Sequence, residues 1–456
     1  MATATRTVEE VLREGGFTAF HRRIVAITGF AWTFVAFEII IISLVLPVIG
    51  SEFGIFSLLT FSPTDPVQYG WIAAATLIGS FIGSLILGRV ADARGRRTVF
   101  LASILWYSVF TAATALSWNV ASVFALRLLA GLGLGGMLVV DPAILSEFLP
   151  PQSRGRFMVL LDFFWPLGFL LAIGFWWAFI VNGVTVAGLA PWRVLFLAAA
   201  FPALIAAVAR FTIPESPFYH ARHGRLAEAA TILERLSGKP VDARSLAEEA
   251  TTPRAPMTEL FRGALRRRSA VTISTWIVLN FSYYGLFLWL PTILPGFGVA
   301  ELTQTAYVGW FLVASALAQF PGYLASMVLV DRWGRRRTLA LFLLFGGVSG
   351  LVFATASSFL VVLVSLALVS FFNLGAWGAV YPYTSELFPT EYRATGFGMA
   401  EGVGKVTAIL GPVIFGALLA STRGIIAPLA SIAIVMALGG VALAFLGPET
   451  KGQAFT

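Results

Sequence analysis

The sequence predicts an all-α membrane protein whose twelve transmembrane helices form two pseudo-symmetric bundles of six. Of its 456 residues, 58% are hydrophobic and only 12% are charged, so the chain lacks the polar side chains that a water-exposed surface requires. Apolar runs of roughly 20 residues, the length that crosses a bilayer, recur along the whole chain. A long hydrophilic stretch near the middle divides these runs into two sets of six.

The first six predicted spans belong to an N-terminal bundle at residues 1–213, and the last six belong to a C-terminal bundle at residues 269–456. Between them, residues 214–268 form a cytoplasmic linker, where apolar side chains at helical spacing among charges indicate short amphipathic helices. A simple tether and a regulatory module both remain open for this linker. In chain order, the predicted spans are 24–49, 69–90, 98–117, 119–145, 155–181, 191–213, 269–294, 305–329, 338–357, 359–387, 394–420 and 424–447.

The distribution of positive charge predicts the orientation of the chain. Of the 31 Lys and Arg residues, Arg127 and Lys405 fall inside spans and Arg193 and Arg423 on one side, while the others lie on the opposite side or its flanks. By the positive-inside rule, both termini lie in the cytoplasm and the protein resides in the cell membrane, inner or plasma. The same distribution argues against nucleic acid as a partner. No removable signal peptide is expected, and the absence of cysteine excludes disulfides.

Short motifs of the first half recur in the second half at a constant offset of 239 residues. The run Asp92-Ala-Arg-Gly-Arg-Arg returns as Asp331-Arg-Trp-Gly-Arg-Arg, and Glu147-Phe-Leu-Pro returns as Glu386-Leu-Phe-Pro. Because this offset contains six spans and the linker, the two halves share one orientation. They are expected to be related by an axis along the membrane normal.

With these motifs, the chain resembles the major facilitator superfamily over nearly its whole length. The two Asp-x-x-Gly-Arg-Arg loops are similar to the signature of that superfamily. Within it, the run Arg127-x-x-x-Gly131-x-Gly-x-Gly and the Pro-Glu motifs that begin at Pro214 and Pro448 resemble the sugar-porter pattern. The resemblance implies the major facilitator fold and transport by alternating access.

Other stretches are more similar to the related branch that holds bacterial nicotinate carriers and metabolite and organic-ion transporters. These stretches are Tyr283-Tyr-Gly-Leu-Phe-Leu-Trp-Leu-Pro291 and Tyr383-Thr-Ser-Glu-Leu-Phe-Pro. The double-Gln motif of sugar porters is missing from the seventh span, where Asn280-Phe-Ser-Tyr-Tyr stands instead. The resemblance therefore implies a substrate other than a hexose, with nicotinate or another aromatic carboxylate metabolite favoured.

Ionisable residues inside spans are functional candidates, because a charge at mid-bilayer costs about 2.5 kcal/mol or more unless it is paired, neutralised or hydrated. Glu38 in the first span and Arg127 in the fourth lie at depths that let them meet in the outer half of the first bundle. This pairing also resembles the sugar-porter arrangement, in which the carboxylate of the first span takes the proton. Glu38 and Arg127 are therefore predicted proton-coupling residues, with a static ion pair as the alternative.

Other charged residues also lie inside predicted spans. Asp141 precedes Pro142 in the fourth span and is a candidate proton relay, with a structural role equally open. Asp162 aligns with a position where sugar porters bind substrate, and it is a candidate to relay a proton or to contact a positive substrate group. Glu401 and Lys405 are four residues apart, in the order that favours a helical ion pair, and are interpreted as structural. The three histidines lie outside the spans, which excludes an intramembrane histidine relay.

A substrate cavity is expected near the membrane midplane, between the two bundles. Tyr and Trp side chains there combine a flat face with a polar atom, which suits a small heterocyclic or aromatic metabolite. For each aromatic residue, simple packing remains the alternative. The candidate lining residues are Asp162, Phe163, Phe164, Trp165, Asn280, Tyr283, Tyr284, Gln319, Asn373, Trp377 and Tyr381.

The repeated loop motifs predict gates on the cytoplasmic side. Their acidic and basic side chains can make charge-assisted contacts with neighbouring helices while that side is closed, and loss of these contacts would open it. The predicted gating residues are Asp92, Gly95, Arg96, Arg97, Glu147 and Arg154 in the first half, and Asp331, Gly334, Arg335, Arg336, Glu386 and Arg393 in the second.

No sequence feature predicts an enzyme, a metal site or a cofactor. The glycine run that begins at Gly131 lies within an apolar span, so it indicates helix packing and not nucleotide binding. The sequence therefore predicts a monomeric secondary transporter in the lipid bilayer, which carries a small organic solute in symport with protons. The alternatives are a sugar or polyol symporter, an organic-cation or drug exporter, and a transporter-like receptor without transport.

Overall fold

The computed structural model describes residues 6–57, 62–202, 208, 211–248 and 256–451, and these residues are predominantly helical. An antiparallel pair of two-residue strands, β1 Phe56–Ser57 and β2 Ser62–Pro63, is also present. In chain order, the helices are α1 Val8–Glu14, α2 Ala19–Glu52, α3 Pro66–Arg94, α4 Arg96–Thr114, α5 Val120–Phe148, α6 Pro151–Asp162, α7 Trp165–Trp176, α8 Pro191–Ala198, α9 Pro217–Arg222, α10 Leu226–Ser237, α11 Gly263–Phe287, α12 Leu290–Ile293, α13 Thr305–Trp333, α14 Arg335–Ala354, α15 Phe359–Leu387, α16 Thr390–Thr422 and α17 Ile426–Leu446.

Ten helical segments within the described ranges are long and apolar enough to cross a membrane. They are α2, α3, α5, the segment Arg154–Val181 that contains most of α6 and all of α7, α11, and α13 to α17. The predicted span 98–117 is also helical, as α4. The predicted span 191–213 begins as α8, and residues 203–207, 209 and 210 of it lie outside the described residues. The predicted all-α membrane architecture is confirmed.

Proline breaks two of the predicted spans. The predicted span 155–181 is interrupted where α6 ends at Asp162. Pro166 has no N–H to donate to the Asp162 carbonyl four residues earlier, and its ring crowds that carbonyl. In the same way, α11 ends at Phe287, four residues before Pro291. Both breaks therefore have the same backbone cause.

Glycine permits close packing between α3 and α5 in the first bundle. A Cβ atom at Gly79 of α3 or at Gly131 of α5 would overlap backbone atoms of the facing helix. In the second bundle, Gly322 of α13 approaches the backbone of Phe371 in α15 in the same manner. The glycine run that begins at Gly131 thus serves helix packing, as the sequence predicts.

The repeat is visible in the structure as two matching turns. Gly95 joins α3 to α4, and Gly334 joins α13 to α14. Their φ angles are 98° and 97°, a backbone conformation that glycine adopts readily and other residues rarely adopt. The end of the molecule that carries these two turns is called the motif side below.

The linker and the N-terminal helix pack together on the motif side. The predicted amphipathic linker helices are α9 and α10, and Ile232, Leu233 and Leu236 of α10 are buried. Helix α1 packs against α10. The side chain of Gln152, at the start of α6, donates a hydrogen bond to the carbonyl of Arg13 at 3.2 Å. These contacts connect the N-terminal helix and the linker to the first bundle.

The turn at Gly334 yields a prediction about stability. Gly334→Ala is expected to cost about 1–3 kcal/mol, because alanine is strained at this φ angle. The added Cβ would also lie 2.6 Å from the Glu449 carboxylate. Gly174→Ala is the matched control, because Gly174 is inside α7 with no atom near the added Cβ, so this variant is expected to match or exceed wild-type stability. The measurement is thermal unfolding of both variants in detergent; equal melting temperatures would contradict the prediction.

Candidate functional site

The two bundles enclose a cavity of about 870 Å³ that extends to the motif side. Both halves contribute to its walls, including Trp32, Asp162 and Trp165 from the first and Tyr283 and Tyr284 from the second. Five predicted gating residues also line it, toward the motif side. They are Arg154, Asp331, Arg335, Glu386 and Arg393.

On the opposite side, the two bundles are in direct contact. The Tyr69 hydroxyl in the first turn of α3 lies 2.7 Å from the Thr292 hydroxyl of α12. The Tyr69 ring also packs against Trp289, with 5.1 Å between ring centroids. Helix α3 packs along α16, where a Cβ atom on Gly70 would lie 2.6 Å from the Pro412 carbonyl oxygen. The chain is therefore in a conformation that is open on the motif side and closed on the other.

A hydrogen bond between the halves lies in the cavity wall. Trp165, at the start of α7, donates from its indole Nε1 to the hydroxyl of Tyr283 in α11 at 2.6 Å. Trp32 of α2 packs beside Trp165, with 6.1 Å between ring centroids. This bond joins two residues that the sequence predicts as substrate-binding, one from each bundle.

An aromatic cluster forms the wall of the cavity in the second bundle. Trp276 of α11 is at its centre, with ring centroids 5.7 Å from Trp377, 5.5 Å from Tyr381 and 5.5 Å from Phe397. The Asn280 amide donates to the Trp276 carbonyl at 2.9 Å, one helical turn earlier. The sequence prediction includes Asn280, Trp377 and Tyr381 but misses Trp276. Its spacing of four residues from Asn280, which puts both on one helix face, is the signal that could have found it.

Charged side chains line the same cavity. Lys405 Nζ lies 3.2 Å from Glu401 Oε1 in α16, and both side chains are partly exposed. Asp162 lies on the wall formed by the first bundle, 8% exposed, and has no ion-pair or hydrogen-bond partner among the described residues. Asp162 and Glu401 are separated by the repeat offset of 239 residues, so they occupy equivalent positions in the two halves. The sequence interpretation treats Glu401 and Lys405 as structural and misses their place in the cavity wall.

A second charged site is buried inside the first bundle. Arg127 Nη2 donates to Glu38 Oε2 at 3.0 Å and to the Glu38 carbonyl at 2.9 Å. Arg127 Nε donates to the Thr76 hydroxyl at 3.2 Å, and the Thr111 hydroxyl donates to Glu38 Oε2 at 2.9 Å. The Phe196 ring covers the guanidinium at 5.4 Å. The predicted contact between Glu38 and Arg127 is present, and its role in proton coupling stays a prediction.

This pair is isolated from the cavity in the observed conformation. Neither charged side chain has any exposed surface, and neither lines the cavity. Removal of one partner from such a pair leaves an uncompensated buried charge, which typically costs about 3–5 kcal/mol. Each charge is therefore stabilised mainly by the other in the observed conformation, in which the cavity does not reach them.

Asp141 is also buried in the first bundle. It has no exposed surface, and neither carboxylate oxygen has a hydrogen-bond partner among the described residues. It lies about 21 Å from Arg127 along α5, toward the motif side. Its neighbours Leu138, Val139 and Pro142 line the cavity. Asp141 is thus hidden immediately behind the cavity wall.

Two predicted substrate-binding residues lie away from the cavity in this conformation. Gln319 of α13 is fully buried, and neither amide atom has a hydrogen-bond partner among the described residues. Asn373 of α15 donates to the Ser282 hydroxyl at 2.9 Å, inside the second bundle. The next residue, Leu374, lines the cavity, so Asn373 is at the depth of the cavity but on a helix face that points into the second bundle.

Phe163 and Phe164 occupy the break between α6 and α7 and make packing contacts. The ring of Phe163 meets Phe320 edge to face at 5.0 Å. Phe164 packs so closely on Gly29 of α2 that a Cβ atom there would lie 2.6 Å from the ring. Neither residue lines the cavity.

On the motif side, equivalent arginines join helices within each half. Arg96 Nε lies 2.7 Å from Glu147, and Arg96 Nη2 lies 3.1 Å from Asp92. Arg335 makes the corresponding contacts, at 2.9 Å from Glu386 and 3.5 Å from Asp331. Each of these ion pairs stays within its own bundle, consistent with a motif side that is open.

Two glutamates that the sequence prediction omits complete these turns. Glu215 Oε1 accepts hydrogen bonds from the backbone N–H groups of Arg96 and Arg97, at 2.7 and 3.1 Å. Glu449 Oε1 accepts from the backbone N–H of Arg335 at 2.9 Å. A carboxylate at a helix N-terminus satisfies N–H groups that have no partner in the helix. The Pro-Glu motif that follows each bundle is the signal for this role.

The surroundings of Glu449 alter its acidity. Burial alone would raise the pKa of Glu449, but hydrogen bonds from the backbone N–H groups of Lys451, Thr450, Arg335 and Arg336 lower the pKa overall. These hydrogen bonds therefore stabilise the ionised form of Glu449.

Comparison with known proteins identifies membrane transporters. The family model described as "Sugar (and other) transporter" matches residues 23–456. The niacin transporter NiaP of Acinetobacter baylyi is 34% identical over 438 residues, which cover 95% of each chain. A putative niacin/nicotinamide transporter NiaP of Bacillus subtilis is 32% identical over 432 residues, which cover 94% of this chain and 96% of the relative. These relatives are not enzymes.

A solved structure supports the architecture. The xylose transporter XylE from E. coli, in a partially occluded inward-open conformation, matches with a TM-score of 0.74 over 96% of this chain and 100% of the other. The two sequences are only 18% identical, so this likeness concerns the fold alone.

The capping role of Glu449 predicts a pH dependence of stability. Because its folded-state pKa is lowered, Glu449 contributes stability that is present above its ordinary value of 4.5 and is lost as the pH falls through the folded-state pKa. Glu449→Gln is therefore expected to lower the melting temperature at pH 7 and to reduce the further loss below pH 4.5. Melting curves against pH provide the measurement, with the exposed Glu301→Gln as control. A wild-type pH profile in Glu449→Gln would contradict the role.

Proposed function

Because the chain belongs to the sugar (and other) transporter family of the major facilitator superfamily, we propose that it carries a nicotinate-like aromatic carboxylate in symport with protons. Transport by a multi-pass membrane protein follows from the family, whereas the substrate class and the coupling are proposals. Their main support is the cavity between the bundles, which is lined both by an aromatic wall and by Lys405.

The aromatic wall suits a flat ring. Trp276, Trp377 and Tyr381 present large ring faces from two adjacent helices, and such faces bind aromatic rings by stacking and edge contacts. The indole Nε1 of Trp377 is buried without a hydrogen-bond partner among the described residues. Because buried donors are normally satisfied, a hydrogen-bond acceptor on the solute would complete this group.

Lys405 suits the carboxylate of such a solute. Its ammonium group is a mobile point charge that is 3.2 Å from Glu401 and partly open to the cavity. A substrate carboxylate can share or replace Glu401 as its partner at little cost in desolvation. One relative is named a niacin transporter and another a putative niacin/nicotinamide transporter. Niacin is a pyridine carboxylate, which has the ring and the charge that this wall and this lysine would bind.

Asp162 supports a second candidate, an organic cation. Its carboxylate lines the cavity and has no partner among the described residues. A cation held between Asp162 and the faces of the aromatic wall would gain both ion pairing and cation–π attraction. The two candidates differ in which charged residue governs binding, Lys405 or Asp162.

Proton coupling is assigned to the buried pair of Glu38 and Arg127. A carboxylate that keeps its guanidinium partner favours the ionised form, and one that loses this partner in a dry site favours the protonated form. Exchange of this contact during the transport cycle would load and release one proton. The complete burial of the pair supports this role, because the carboxylate has no access to solvent without a conformational change.

Alternating access is assigned to rocking of the two bundles about the cavity. The contact between Tyr69 and Thr292 would break as the closed side opens, and the gating residues of the repeated loops would meet across the motif side as that side closes. The concentration of Lys and Arg supports a cytoplasmic motif side, cytoplasmic termini and a cell-membrane location. One chain supplies both walls of the cavity, which supports a monomer.

Substitution of Lys405 tests the substrate class. If nicotinate binds through Lys405, then Lys405→Met is expected to weaken nicotinate binding at least about tenfold, equivalent to about 1.4 kcal/mol. The exposed linker variant Lys239→Met is expected to bind as wild type. Binding is measured by thermal stabilisation across nicotinate, xylose and tetraethylammonium, followed by nicotinate counterflow in proteoliposomes. Stabilisation by xylose alone would contradict the proposal, and a response to tetraethylammonium that Asp162→Asn abolishes would favour the cation.

Substitution of Glu38 tests the coupling. Glu38→Gln is expected to abolish nicotinate accumulation driven by a pH gradient while it retains nicotinate counterflow, because exchange between two sides does not require net proton movement. Retained thermal stabilisation by nicotinate is the control for folding, since the variant leaves Arg127 without its charge partner. A Glu38→Gln protein that still concentrates nicotinate would exclude Glu38 as the proton site.

A further inference from the structure

Helix α4 presents a column of hydroxyl groups to the interior of the first bundle. Ser103, Tyr107 and Thr111 follow one another at intervals of four residues, so their side chains share one face of the helix. All three are buried, with 2%, 0% and 0% of their surface exposed. Apolar residues would pack this face at lower cost, so the polar column calls for a functional explanation.

Most of this column lacks hydrogen-bond partners. The Thr111 hydroxyl donates a hydrogen bond to Glu38. The Tyr107 hydroxyl and the Ser103 hydroxyl have no partner among the described residues, and the same holds for Ser108 beside them. Buried hydroxyls are normally satisfied, so a run of unsatisfied ones marks a place where hydrogen bonds form in another state or with water.

A carboxylate lies toward each end of the column. Toward one end, Glu38 accepts from Thr111 through Oε2, and its Oε1 has no partner among the described residues. Toward the other, Asp141 is buried with both oxygens unpartnered. Tyr107 is one helical turn from Thr111 in the direction of Asp141, so it lies at a depth between the two carboxylates.

Close packing of α4 on α5 sets the column along the part of α5 that leads toward Asp141. Gly133 and Gly136 of α5 face Tyr107 and Ser103, and a Cβ atom on Gly136 would overlap the Ser103 hydroxyl. The two helices are consecutive and antiparallel, so the path from Thr111 to Ser103 runs in the same direction as the path from Arg127 to Asp141. The hydroxyls thus span much of the axial distance between the two carboxylates.

The charges around the two ends differ. Arg127 is the cation that contacts Glu38, whereas no cation contacts Asp141 among the described residues. An ionised carboxylate without a partner is very costly in such surroundings, so the proton-bearing form fits the Asp141 site. The two ends therefore suit opposite protonation states, as the donor and acceptor of one proton require.

From this arrangement we propose that the hydroxyl column of α4, centred on Tyr107, conducts the coupled proton between Glu38 and Asp141. The inference rests on the proposed proton coupling and names its route. When Glu38 carries a proton and Asp141 is ionised, the proton leaves Glu38 for a neighbouring hydroxyl oxygen, each hydroxyl or water that bridges two hydroxyls passes its own proton onward, and Asp141 receives the last one. The result is an ionised Glu38, which pairs with Arg127, and a neutral Asp141.

The exit from Asp141 leads to the cavity. Pro142 follows Asp141 directly and lines the cavity, as does Leu138. Pro142 has no N–H for the Leu138 carbonyl, four residues earlier, so this carbonyl is free to hold water at the wall. A small movement of α5 at this proline would expose Asp141 to the motif side, where the proton is released.

Tyr107→Phe is the sharpest test, because it removes one hydroxyl and keeps the ring. In proteoliposomes loaded with a pH-sensitive dye, this variant is expected to reduce nicotinate-dependent proton uptake and pH-driven nicotinate accumulation at least about tenfold, with nicotinate counterflow retained. Asp141→Asn is expected to give the same result, and the double variant is expected to be no worse than either single variant, because both act on one path. Ser326→Ala is the matched control, since it removes from the second bundle a buried hydroxyl that, like that of Tyr107, has no hydrogen-bond partner among the described residues.

These experiments distinguish a wrong proton route from the absence of proton coupling. If wild type accumulates nicotinate with the pH gradient and Glu38→Gln does not, while Tyr107→Phe behaves as wild type, the route is wrong and the coupling stands. If Tyr107→Phe lowers counterflow and the melting temperature together with accumulation, the hydroxyl is structural and the route is again wrong. If wild type shows no response to the gradient, the proposed coupling itself fails.

Discussion

The cost of charge in a lipid bilayer is the constraint on which the rest of the structure depends. Such a charge costs about 2.5 kcal/mol or more at mid-bilayer, and the described intramembrane ionisable residues meet this cost in three ways. Glu38 and Arg127 are fully buried and paired, whereas Asp162, Glu401 and Lys405 lie against the cavity. Asp141 is buried without a partner among the described residues, a situation that favours the neutral carboxyl group. The cavity between the bundles therefore holds the charged side chains that a solute can meet, within a lining that is largely apolar and aromatic.

Proline gives this chamber its shape. Pro166 ends α6 at Asp162, and the acidic side chain at this break lines the cavity. Pro291 ends α11 soon after Tyr283, and the short helix that follows carries the hydroxyl that contacts the first bundle on the closed side. Pro142 lines the cavity directly after the buried Asp141. At each of these prolines the helix can bend. The bend occurs either where the bundles must separate or where a buried carboxyl group must reach water.

The fold was predictable because hydropathy and a constant repeat offset are properties of the sequence in one dimension. The contact of Glu38 with Arg127 was predictable for a similar reason, since helix rise converts residue number into depth. The rotation of each helix depends on contacts between helices, so Trp276 was missed, and Asn373 was included although its side chain points away from the cavity. Glu215 was missed because its capping contact joins segments more than a hundred residues apart in the chain.

Comparison of equivalent positions also shows that the two bundles carry different functional candidates. At the offset of 239 residues, Glu38, Arg127 and Asp141 correspond to Ile277, Leu366 and Val380. Two residues of the aromatic wall, Trp377 and Tyr381, correspond to Leu138 and Pro142, so these two rings have no equivalent in the first bundle. The proposed proton machinery therefore belongs to the first bundle and the proposed ring site to the second. Solute binding in one bundle can affect proton movement in the other only through contacts between the bundles. The hydrogen bond from Trp165 to Tyr283 is one such contact. A solute that replaces this bond would release the first bundle to move, so solute binding and proton movement would share one conformational step.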